Sequence, residues 1–188
     1  MAHLKLTVVL ILLALTSPIS NLKIHSLSCL GLDIEPSRSY EVIIQKSLKL
    51  FSQEPKIAKP EFLIRETGSR CYNAWVDTRK NKVILSEPVV REFSLEELAG
   101  IIAHEIAHIE FPLEDEHWKT DLRGAELTST KIMLSKLSRM KSISANLKRV
   151  ESSNLDSFDW EIQDYNFRID KIKSHELKQV GFVRPLFW

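Results

Sequence analysis

Strong charge of one sign, cysteine pairs and long hydrophobic runs are all missing from this sequence. Its 26 basic and 25 acidic residues leave a formal net charge of +1, which gives no general attraction to nucleic acid or to an anionic membrane. The basic stretch Arg139 to Lys148 has the mixed pattern of a solvated face rather than that of a nucleic-acid patch. There are two cysteines, Cys29 and Cys71. They lack the paired spacing of a structural zinc site, and only one disulfide pairing exists between them. No repeat and no low-complexity tract divides the chain. The one sustained apolar run, Leu6 to Leu15, is too short for a comfortable transmembrane span. It has the make-up of a secretory h-region ending near Ser20, or, stretched to Leu22, of a marginal signal anchor. The expected organisation is therefore a signal peptide or signal anchor over residues 1–20 and one domain over 21–188. That domain is either exported (secreted or periplasmic) or associated with a membrane through its N-terminal segment. With 188 residues and 44% apolar content, the chain can bury one sizeable core.

What is present is chemically specific. His104-Glu105-Ile106-Ala107-His108 puts two imidazoles four residues apart, one above the other on a helix. Both can reach one Zn²⁺, and Glu105 beside them can take a proton from a water that the metal activates. The frame is a buried helix. Ser94-Leu95-Glu96-Glu97 is a capping box, Leu98, Ile101, Ile102, Ala103, Ile106, Ala107 and Ile109 give an apolar surface too broad for an exposed helix, and Pro112 closes it. Burying two imidazoles and a carboxylate without partners is expensive, and a metal removes that cost.

Catalytic zinc takes three protein ligands and leaves a fourth position open. A third histidine six residues after the second is absent, because Glu114 stands there and Phe111 replaces the glycine that would precede it. A glutamate on the following helix is the other solution, and Glu126 fits it. Asp121 and His117 are the alternatives, while Glu114-Asp115-Glu116 reads as a solvated loop rim.

Tyr72-Asn73-Ala74-Trp75, then Lys82-Val83-Ile84-Leu85-Ser86, then Ser94-Leu95-Glu96-Glu97-Leu98 leading into His104-Glu105 resemble the core of the HtpX-like and CAAX prenyl-protein endopeptidases. The similarity runs from about Arg70 to Met133. It implies a Glu-x-x-Ala-Asp element on the next helix, whose glutamate is the third ligand and whose aspartate supports a zinc-binding histidine. Glu126-Leu127-Thr128-Ser129-Thr130 is similar to that element, with Ser129 for the alanine and Thr130 for the aspartate. The resemblance also implies an arginine facing the oxyanion of the tetrahedral intermediate. Arg168 matches it, although no His-Pro precedes it, and Tyr165 is a second candidate.

Strands are expected at Arg70 to Asp77 and Lys82 to Glu87, joined by a polar turn over 78–81. Trp118 to Ser138 reads as the third-ligand helix, with Gly124 inside it allowing close packing near the metal, and Asp156 to Leu177 as a final helix with Trp160 and Phe167 among its inward-facing positions. These readings combine into an α+β fold: a minimal zincin (gluzincin) domain, with a small antiparallel sheet packed on the zinc helix and further helices around it. The expected function is a zinc-dependent endopeptidase holding one Zn²⁺ on His104, His108 and Glu126, with Glu105 as general base and Arg168 as a further catalytic residue. A peptide or protein substrate would add as a strand near Asn73-Ala74-Trp75. The rival reading is a catalytically silent relative acting as a binding or chaperone-like module.

Overall fold

A computed structural model describes residues 29–68, 70–150 and 155–181, with side chains in the last helix described between 158 and 176. The first 28 residues, which include the expected signal peptide or anchor, and the apolar tail 182–188 lie outside the described residues. The order of elements is β1 (Leu32–Ile34), α1 (Arg38–Leu48), β2 (Glu61–Glu66), β3 (Ala74–Asp77), β4 (Lys82–Ser86), α2 (Glu87–Glu92), α3 (Leu95–Glu110), α4 (His117–Leu127), α5 (Thr130–Val150) and α6 (Leu155–Gly181). Helices and a small sheet in one chain make this an α+β domain, as expected. Among the described residues no helix is long and apolar enough to cross a membrane.

The sheet runs β1-β2-β4-β3. It is mixed rather than purely antiparallel, because β2 and β4 pair in parallel while β1–β2 and β3–β4 are antiparallel. The cause is connectivity. The chain passes the β4 position, forms β3 at the outer edge, and returns through a tight turn at residues 78–81. Asn81 takes a left-handed φ of 53° in that turn, a conformation asparagine tolerates better than most residues. The ladder begins at Ala74 rather than at Arg70. Before it, Ser86 Oγ donates to the Cys71 carbonyl at 2.6 Å and accepts from Asn73 N–H at 3.2 Å, so a side chain does the work of strand pairing there. Cys71 is bridged to Cys29, which ties the chain just before β1 to the segment leading into β3.

Helix α3 is the hub. Ser94 and Glu97 form both halves of the capping box, at 3.2 and 2.9 Å, and every residue from Leu98 to Ala107 is buried. The helix ends at Phe111, just before Pro112, where a proline ring cannot continue it. One side of α3 faces the core of sheet and α1 residues such as Ile44, Ile64, Val83 and Leu85, and Met133 and Leu137 of α5 pack on it elsewhere.

Two helical expectations change. The segment 118–138 is not one helix, because it breaks at residues 128 and 129. Thr128 Oγ1 donates to the Gly124 carbonyl at 2.7 Å as Thr128 leaves helical geometry. Ser129 Oγ then accepts from Ile132 N–H at 3.2 Å, starting α5 in the manner of an N-cap. In α6, Trp160 and Phe167 are exposed rather than inward-facing. The buried stripe is Phe158, Arg168 and Ile172, so an arginine occupies a position in the core-facing row.

Candidate active site

The three histidines of the 104–117 region converge. His104 and His108 lie one helical turn apart on α3, and their Nε2 atoms face each other at 3.2 Å. His117, the first residue of α4, brings its ring to the same point. The ring centroids are 4.8, 5.6 and 5.4 Å apart for the pairs 104–108, 104–117 and 108–117, each edge-on. The short α3–α4 connection makes this meeting possible, and Gly124 sets its closeness. A Cβ on Gly124 would lie 3.4 Å from His104 N and 2.2 Å from Met133 Cε, so α4 rests directly on α3 beside the first histidine.

Asp121 follows His117 by one turn and points the same way. Its Oδ1 is 2.7 Å from His104 Nδ1, so the imidazole donates through Nδ1–H and keeps its Nε2 lone pair toward His108. Lys136 Nζ donates to Oδ1 at 3.1 Å and Arg168 Nε donates to Oδ2 at 2.5 Å. Burial pushes the Asp121 carboxyl up, but Lys136, His104 and Arg168 outweigh it and hold the group well below the usual carboxylate range. Burial lowers the affinity of His104, His108 and His117 for a proton, most strongly at His104. All three imidazoles are therefore neutral at pH 7. Glu105 is buried beside them, and burial pushes its carboxyl up to about 7, near the value that suits a general base at neutral pH.

A cavity of about 320 Å³ opens onto these groups, lined by His104, Glu105, His108, His117, Lys136, Tyr165 and Arg168 on one side and by Tyr72, Asn73, Ala74 and Val76 on the other. The sheet side of the cavity is formed by the start of β3, the edge strand. Arg168 is buried, with its guanidinium also on Asp164 at 3.2 Å and over the Tyr165 ring at 5.3 Å. Burial raises the Tyr165 hydroxyl to about 12, so it stays a hydrogen-bond donor at neutral pH.

Glu126 is not brought to the histidines. Its carboxylate is half exposed and accepts from Arg123 Nη1 at 2.9 Å. Arg123 is also held by Glu110, the last residue of α3, at 2.6 Å. Five residues separate Asp121 from Glu126, about 140° around a helix, so the two cannot face α3 together. The signal that finds the converging set is the spacing of His117-Trp118-Lys119-Thr120-Asp121. This is the Glu-x-x-Ala-Asp pattern with histidine for the glutamate, threonine for the alanine and the aspartate in place. Lys136 has no such local signal; only the crossing of α5 over α3 reveals it.

The donor set fits a zinc ion. Nitrogens each about 2.0–2.1 Å from a tetrahedral metal lie about 3.3 Å apart, and their ring centres roughly 5.2 Å apart, close to the spacings observed. Among the described residues no three donors are already closed around one point. The 104–108 pair has the metal-type separation, and the His117 ring stands beside both at the cleft.

Three converging imidazoles, a buried carboxylate and an aspartate held on His104 surround one cleft. The family model of peptidase family M48 matches residues 42–153. The chain belongs to peptidase family M48. The resemblance to HtpX-like and CAAX endopeptidases is thereby upheld, and the M48 match runs from within α1 to the end of α5. It ends before α6, which brings Arg168 and Tyr165 to the cleft of this M48 peptidase. No curated protein and no solved structure matches the chain at a comparable level of significance. Membership makes the protein a protease of a metallopeptidase family.

Proposed function

We propose that the protein is a zinc-dependent endopeptidase in which His104, His108 and His117 hold one zinc and Glu105 is the general base. The observation that supports the reading is the meeting of three imidazoles beside a buried carboxylate along one cleft. Zinc, when bound, supplies a Lewis acid for the scissile carbonyl and for the attacking water. Glu105 takes the proton of that water and hands it to the leaving amine. Asp121 holds His104 by Nδ1, so that the opposite nitrogen serves as the ligand. Arg168 and Tyr165 supply a positive charge and a hydroxyl donor on the side where the oxyanion develops. An extended peptide pairs with β3, the edge strand among the described residues, near Asn73-Ala74-Trp75 along the same cleft. The Cys29–Cys71 bridge supports an exported domain, since disulfides persist in oxidising compartments.

The test is the Glu105→Gln variant with unfolded protein as substrate. Zinc content should remain near one per chain, while cleavage should fall by about 10²–10⁴-fold, the usual contribution of general acid–base catalysis. Cleavage persisting in this variant would remove Glu105 from the mechanism. A wild-type protein that binds zinc but cuts no peptide would instead favour the binding-module reading.

A further inference from the structure

Lys136 is a buried cation that the peptidase reading leaves without a task. It is 5% exposed, and withdrawing an ammonium from water costs several kcal/mol unless partners offset it. Its partner, Asp121, is already supplied. Arg168 Nε donates to Oδ2 at 2.5 Å and His104 Nδ1 lies 2.7 Å from Oδ1, yet Lys136 Nζ adds a third contact to Oδ1 at 3.1 Å. One cation is enough to neutralise one carboxylate. The second cation changes what that carboxylate is free to do.

Carboxylate oxygens are themselves good zinc ligands, and Asp121 stands one helical turn after His117. With Arg168 on one oxygen and Lys136 sharing the other, the carboxylate is held against His104 Nδ1 from two sides. The fold makes specific room for the second of these contacts. A Cβ on Gly100 would lie 2.9 Å from Lys136 Cβ and 3.3 Å from the Ile132 carbonyl. Helix α5 thus crosses α3 over a glycine one turn before His104, and the lysine stem runs from that crossing to Asp121.

We propose that Lys136 is a positioning residue of the metal site: with Arg168 it pins the Asp121 carboxylate on His104 Nδ1, keeping Asp121 from ligating the metal and His104 Nε2 turned toward it. This rests on the reading of His104 as a ligand. Gly100, Asp121, Lys136 and Arg168 come from four different helices, so the clamp is a property of the assembled domain.

The experiment reads the His104 tautomer by long-range ¹H–¹⁵N correlation in metal-free full-length protein, and zinc affinity by competition with a chromophoric chelator. The wild type should show His104 protonated at Nδ1 alone. In Lys136→Met, Arg168 still neutralises Asp121, so the fold should persist, monitored by circular dichroism. The tautomers should become mixed and zinc affinity should fall by about 10–100-fold, the range for outer partners of a metal ligand. Gly100→Ala displaces the lysine stem without removing any charge, and should produce the same two changes more weakly. It decides the matter if Lys136→Met does not fold. A wild-type tautomer in the variants would overturn the proposal, whether or not affinity changes, because a merely structural lysine could alter affinity without altering the ring proton. Wild-type protein that binds no zinc would sink the peptidase reading, and the metal-free tautomer would still decide the role of Lys136.

Discussion

Whether a donor can serve a metal depends on where the helix turns it, and this separates His117 from Glu126 although nine residues of one helix connect them. His117 lies about 40° around the helix from Asp121, and Asp121 is fixed on His104 at 2.7 Å. Glu126 is turned to the far side, where Arg123 joins it to Glu110. His117→Ala should therefore weaken zinc binding by more than the 10–100-fold that even an outer-partner change costs, roughly speaking, while Glu126→Ala should bind zinc like the wild type. The glutamate contributes only an ion pair that is half exposed, so its loss should cost well under about 1 kcal/mol. Chelator competition on both variants checks this, and the reverse ranking would restore Glu126 as the ligand. The meeting of His104 and His108, with Glu105 beside them, was legible in the sequence because their spacing is a property of one helix. That His117 rather than Glu126 turns toward them was not, although His117 stood among the alternatives, because it depends on how a second helix faces the first.

Elements were readable where a local signal ends them and unreadable where a side chain rewires the backbone. The capping box at Ser94 and the stop before Pro112 gave the limits of α3 correctly. The break between α4 and α5 was hidden, since threonine and serine are tolerated in helices and only Thr128 Oγ1 bonding back to Gly124 turns them into a terminus. The sheet's parallel pair was hidden for a similar reason: strand patterns fix which face is buried, not which strand sits at the edge. Gly124, by contrast, was marked by its position inside a helix, and the structure gives it a reason. Gly124→Ala should destabilise the domain by about 1–3 kcal/mol, the usual cost of overpacking. The added carbon would meet the end of the buried Met133 side chain at 2.2 Å, so the methionine must shift, and only partial relief is available beside the His104 backbone. Denaturant unfolding measures the loss; an unchanged midpoint would mean that α4 and α3 are packed less closely than described.

At the scale of the whole molecule, two constraints act on stability, one covalent and one through protons. The Cys29–Cys71 bridge spans 42 residues and holds β1, whose side chains are all exposed, so the strand has little packing of its own. Loop-closure entropy assigns such a bridge roughly 4 kcal/mol, and a Cys29→Ser/Cys71→Ser protein should unfold at correspondingly lower denaturant. The site constrains stability through protons. His104, His108 and His117 take up protons less readily folded than unfolded. Below about pH 6.5 the unfolded chain therefore binds more protons, and the stability these histidines give, fully present above 6.5, is lost as pH falls. Glu105 acts with the opposite sign: with its folded pKa raised to about 7, it favours the folded state most below about 4.5 and gives this up as pH rises through 7. Between about 4.5 and 6.5 three imidazoles work against one carboxylate. Metal-free protein should thus have a lower unfolding midpoint at pH 5.5 than at pH 7.5. Glu105→Gln removes the opposing carboxylate, so its midpoint should fall more steeply over the same interval. A wild-type midpoint that rises on acidification would show that the folded protein does not disfavour protons on these histidines, and an unchanged slope in the variant would show that Glu105 is not held protonated by its burial. Both outcomes bear on the same cleft, because the burial that raises the Glu105 carboxyl to about 7 also disfavours protons on the three imidazoles.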